Sequence, residues 1–91
     1  MARKVAIVVR DRQSEAFRIS AGLIVLDDVI DIFVLDRKVE TDPDTQRNYE
    51  LCRDMDLKIY TNNSEKNPEM EFLATDALAD KLTEYDFIDP Y

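Results

Sequence analysis

Lys4–Leu35, KVAIVVRDRQSEAFRISAGLIVLDDVIDIFVL, decides the fold of this chain. Val5-Ala6-Ile7-Val8-Val9 is a continuous apolar run, as in a strand covered on both faces. Arg10-Asp11-Arg12-Gln13 follows as a polar turn, with Asp11 or Ser14 placed to cap a helix over Ser14–Leu26. Val29–Leu35 is a second apolar run. Two buried strands joined through a helix form a parallel βαβ unit, whose crossover is almost always right-handed.

The rest reads as further strand–helix units laid onto the same sheet. Asp36–Glu40 is a polar connector. Thr41-Asp42-Pro43-Asp44 has the marks of a helix start: a capping side chain, a proline in the first turn and acids near the positive helix end. That helix runs to about Met55, with Tyr49, Cys52 and Met55 on one face. Leu57–Thr61 alternates as a third strand. Asn62–Glu69 is a loop rich in asparagine and closed by a proline. Met70–Ala74 is a short fourth strand. Thr75 or Asp76 caps a helix over Ala77–Tyr85, with Leu78 and Leu82 inward, and Asp86–Asp89 is a short last strand. The expected architecture is a single α/β domain over residues 1–91, a three-layer α/β/α sandwich with a mostly parallel sheet of four to five strands.

Composition narrows the function classes. Twenty acidic against twelve basic residues give a net charge of −8. That disfavours nucleic acid and anionic membrane surfaces, both of which are bound through basic patches. There is no histidine, the commonest general base and transition-metal ligand, and one cysteine cannot build a zinc site. No metal or cofactor is expected. A lone cysteine forms no internal disulfide, and no apolar run approaches membrane-spanning length, so the expected address is the cytoplasm.

Three groups of residues carry the candidate chemistry. Sheets of this class place ligands at the carboxyl ends of their strands. Those ends carry Arg10, Asp11, Arg12, Asp36, Asn62 and Asp76, a set suited to a small anion or, through oxygen ligands, a divalent cation. Capping and turn formation explain the same residues. Cys52 is the one candidate nucleophile, but it lies late in its helix, where the helix dipole disfavours a thiolate, so a packing role is favoured. The third group is the uncharged end of the first helix, with Ile19, Ala21, Gly22, Leu23 and Leu26 as a candidate subunit interface. Gly22 is the chain's single glycine; inside a helix it costs about 1 kcal/mol relative to alanine, which close approach of another helix would offset.

Together these stretches resemble a known family. Lys4–Val9, Glu15-Ala16 opening an apolar helix, and Ile32–Leu35 resemble the amino half of DsrE-type sulfur-relay proteins. Leu57–Tyr60, the asparagine loop and Met70–Leu73 are similar to the smaller DsrH or TusB branch. The resemblance implies an oligomeric α/β/α scaffold, homo-oligomeric or built with related sulfur-relay subunits, whose active members pass persulfide sulfur through a cysteine. That cysteine lies just beyond the third strand or in the loop after it. Here Tyr60–Asn63 and Asn62–Glu69 contain none, and Cys52 lies one helix earlier. The expectation is therefore a non-catalytic oligomeric subunit of sulfur or redox metabolism, with persulfide transfer on Cys52 as the alternative and small-ligand or cation binding as a further one.

Overall fold

A computed structural model describes residues 3–23 and 29–91. Five strands form one sheet: β1 (Lys4–Val9), β2 (Val29–Val34), β3 (Lys58–Thr61), β4 (Glu71–Phe72) and β5 (Phe87–Pro90). Three helices are interleaved: α1 (Gln13–Leu23), α2 (Pro43–Asp54) and α3 (Thr75–Leu82). The strand order is β4-β3-β2-β1-β5 and every pairing is parallel. The chain thus adds strands in one direction from β1, then returns to place β5 on the other side of it.

The continuous apolar runs of β1 and β2 are buried on both faces, as a central pair in a two-sided sheet requires. One face, with Val5, Ile7, Val9, Ile30, Ile32 and Val34, packs against α1 and α2 through Ala16, Phe17, Tyr49 and Cys52. Phe17 and Tyr49 meet at 5.3 Å between ring centroids across the two helices. The other face is smaller: Ala6, Val8, Phe33, Leu35 and Tyr60 lie under Leu78 of α3. Helices therefore cover both faces of the sheet, the expected sandwich.

Several local expectations are corrected. Ser14 lies inside α1 rather than capping it, and its carbonyl and hydroxyl oxygens accept from Asn48 Nδ2 at 3.1 and 3.0 Å. Neither Thr75 nor Asp76 caps α3; Ala74 holds that position without a side-chain bond. α3 also ends early. The N–H groups of Thr83, Glu84 and Tyr85 each bond a carbonyl three residues back, a tighter turn than the α-helix, which lets the chain leave for β5. Asp42 does cap α2, accepting from Thr45 N–H at 3.0 Å. Hydrogen bonding from the Thr45 side chain, and then from its N–H, holds the Asp42 carboxyl below its usual range.

Candidate functional site

The carboxyl edge of the sheet gathers most of the residues singled out there. Asp36 follows β2 in the left-handed region, at φ 67°. Its N–H donates to Asn62 Oδ1 at 2.8 Å, and Asn62 Nδ2 returns a bond to Asp36 Oδ1 at 2.9 Å. Arg10 lies 3.6 Å from the same carboxylate, and Lys66 donates to the Asp36 carbonyl at 3.0 Å. Asp11 pairs with Arg37 at 3.0 Å. Arg12 turns aside, pairing with Glu15 and lying 5.1 Å over the Tyr91 ring. Asp76 does not join them; it sits in the first turn of α3.

This arrangement is poor for a cation. The carboxylates of Asp11 and Asp36 already face arginines, so a divalent ion would have to displace them. Among the described residues no group of three or more His, Cys, Asp or Glu converges as a metal site. The crevice where the strand order reverses, between β1 and β5, is filled by the chain itself. The Tyr91 carbonyl oxygen accepts from Asp11 and Arg12 N–H at 3.1 and 2.9 Å, taking donors that a ligand at the start of α1 would use.

Two buried amides hold this edge together, and composition gave no sign of them. Gln13 Nε2 donates to the Lys38 carbonyl at 3.1 Å, and Gln13 Oε1 accepts from Glu40 N–H at 2.7 Å. Asn67 Oδ1 accepts from Val39 N–H at 3.1 Å while its Nδ2 donates to the Arg37 carbonyl at 2.8 Å. Each amide clamps the loop between β2 and α2 from one side. Beside that loop opens a cleft of about 390 Å³, lined by Lys38, Thr41, Gln46, Tyr49, Lys66 and Glu69 among others. Tyr49 donates its hydroxyl proton to Glu69 at 3.1 Å, and burial together with that carboxylate pushes its pKa up to about 12.

Cys52 is far from this edge in character. It is fully buried between α1 and α2, and its S–H donates to the Phe17 carbonyl, with sulfur and oxygen 3.1 Å apart. Burial pushes the thiol up to about 11, away from the thiolate needed for attack on a persulfide.

The helix-end group is divided. Ala21 is buried by its own chain; Ile19 and Leu23 are half-buried; Gly22 is exposed; Leu26 lies outside the described residues. Among the described residues, a Cβ added at Gly22 meets nothing within 4 Å, so no close helix approach among them explains the glycine. The neighbour that covers this helix is α2, which takes the face carrying Phe17. Among the described residues, the large apolar side chains left most open lie elsewhere: Val29, Leu51, Phe72, Phe87 and Ile88.

A second buried polar contact lies under α3. The Tyr85 hydroxyl donates to the buried Asp31 carboxylate, beside Phe33 and Tyr60. Desolvation and the Asp31 charge raise the Tyr85 pKa. Asp31 lies on the strand face opposite its apolar neighbours Ile30 and Ile32, and that alternation was its only sign in the sequence.

No family model, no curated protein and no solved structure matches this chain. Among the described residues, no helix is long and apolar enough to cross a membrane.

Proposed function

We propose that the chain is a non-catalytic, cytoplasmic subunit of the DsrE-like kind, one that serves sulfur or redox metabolism by assembling with copies of itself or with related sulfur-relay chains. The observation that carries this reading is the closed position of Cys52. The only thiol of the chain is a packing group between two helices, hydrogen-bonded and held protonated. Association is supported by the apolar side chains left open at both edges of the sheet, Phe72 on β4 and Phe87 and Ile88 on β5. The test is incubation of the folded protein with a low-molecular-weight persulfide, followed by intact-mass measurement. The expected mass is unchanged; added sulfur on Cys52 under native conditions would overturn the reading.

A second reading, small-ligand binding, is favoured by the cleft beside the β2–α2 loop. It is large enough for a small metabolite, and Lys38 and Lys66 offer it positive charge. A ligand that binds only the folded chain raises its melting temperature, so a thermal-shift screen with small anions tests it. Loss of the shift in Lys38→Gln would place the ligand there, and a flat screen would remove the reading.

A further inference from the structure

The segments that line the cleft beside the β2–α2 loop are tied to one another before any ligand arrives. Asn67 is 1% exposed and joins the β3–β4 loop, which carries it, to the main chain of Arg37 and Val39. Its Nδ2 also donates to Thr61 Oγ1 at 3.3 Å. Asn63 Oδ1 accepts from the N–H groups of Glu65 and Lys66, each at 3.1 Å, and so fixes the turn from which those side chains leave. Gln46 Nε2 donates to the Glu40 carbonyl at 2.6 Å, and the Tyr49–Glu69 bond ties α2 to the β3–β4 loop. A ligand entering a cleft built this way has little of the chain to order.

The charged groups of the cleft carry both signs: two ammonium groups, Lys38 and Lys66, and two carboxylates, Glu65 and Glu69. Arg10, Asp11, Asp36 and Arg37 face partners of opposite charge; these four do not. Lys38 and Glu65 make no ion pair among the described residues. Lys66 donates to the Asp36 carbonyl and keeps two further N–H groups. Tyr49 takes one carboxylate oxygen of Glu69 and leaves the other. The four charges sum to zero, so a simple anion that reaches the lysines also meets two carboxylates. It must approach a chain of net charge −8 as well. A molecule with one charge of each sign finds a partner for both and is not repelled at long range. Val39, Pro68 and the Tyr49 ring add apolar surface to the lining.

We propose that this cleft binds an α-amino acid with an apolar side chain, its carboxylate on Lys38 and Lys66 and its ammonium on Glu65 and Glu69. This rests on the small-ligand reading of the cleft and names the class of ligand. A volume of about 390 Å³ takes a molecule of that size.

The experiment is titration calorimetry of the full chain with three probes that share a carbon skeleton. They are leucine, isocaproate, which lacks the amine, and isoamylamine, which lacks the carboxylate. Leucine is expected to bind about tenfold tighter than either fragment, since each fragment loses one set of charge-assisted bonds. Lys38→Gln should weaken leucine and isocaproate alike, by about fivefold. Glu69→Gln, whose amide oxygen still accepts from Tyr49, should weaken leucine by about fivefold and isocaproate not at all. A cleft that had merely collapsed would lose both probes. Both side chains are exposed, so the fold tolerates both changes. Equal affinity for leucine and isocaproate, lost in Lys38→Gln, would keep a small ligand in the cleft and overturn the amino-acid assignment. Leucine binding that survives both substitutions lies elsewhere and would overturn it too. No binding of any probe, or of inorganic phosphate, would remove the cleft reading together with this inference.

Discussion

The carboxyl edge of the sheet and its β5 edge are opposites. At the first, the charges of Arg10, Asp11, Asp36 and Arg37 face one another, and Gln13 and Asn67 satisfy the main chain of the loop they hold. At the second, the large apolar side chains of Phe87 and Ile88 are half exposed, and no further strand among the described residues lies beside them. A saturated region gains little from a partner, because every new contact must displace an existing one. An unsaturated region gains by covering what water now touches. The apolar surface at β5 therefore has more to gain from cover than the carboxyl edge, although the residue types at the carboxyl edge look more chemical.

The comparison can be broken most forcefully at Asn67. Asn67→Ala leaves the Val39 N–H and Arg37 carbonyl without their buried partner, and should lower stability by about 3 kcal/mol in denaturant unfolding. By contrast, Phe87→Ser should change monomer stability by only about 0.5 kcal/mol. Equal effects at the two sites would erase the distinction.

Alkaline pH probes the closed interior next. In the unfolded chain the Cys52 thiol ionises near its ordinary value of 9, while the folded chain holds the proton to about 11. Its contribution is therefore fully present below about pH 9 and is lost as pH rises toward 11. Tyr49, raised from 10 to about 12, adds a later loss in the same direction. Melting temperature should decline from about pH 9 upward, and in Cys52→Ala the decline should begin about one pH unit higher. A decline that begins only near pH 10 in the unaltered chain, as expected for Cys52→Ala, would mean that the thiol is open to solvent.

The smallest effects concern backbone and surface. Asp56 ends α2 at φ 59°, in the left-handed region, so Asp56→Gly should raise stability by about 0.5–1 kcal/mol by thermal unfolding. Arg10→Ala removes an exposed pair 3.6 Å long and should cost under about 0.5 kcal/mol.

What could be read in advance follows the range of the interactions involved. β1, α1 and β2 are set by local apolar runs, and the cap at Asp42 by neighbours three residues apart, so both were readable. The grouping of Arg10, Asp11, Asp36 and Asn62 followed from the rule that the carboxyl ends of parallel strands lie side by side. Gln13 and Asn67 could not be found this way. Their partners lie 25 to 30 residues off, and an isolated amide in a turn looks like any other polar residue. Which face of α1 meets α2 is likewise a tertiary choice, and α2 takes the face carrying Phe17. The exposure of Phe87 and Ile88 on β5 depended on strand order, which local pattern does not specify.

The central claim is that Cys52 packs and does not react. Native-state alkylation of the unaltered chain near pH 7.5, followed by intact mass with and without denaturant, tests it most directly. The account predicts no alkylation while the chain is folded and complete alkylation once it is unfolded. Rapid, stoichiometric modification of the folded chain would contradict it.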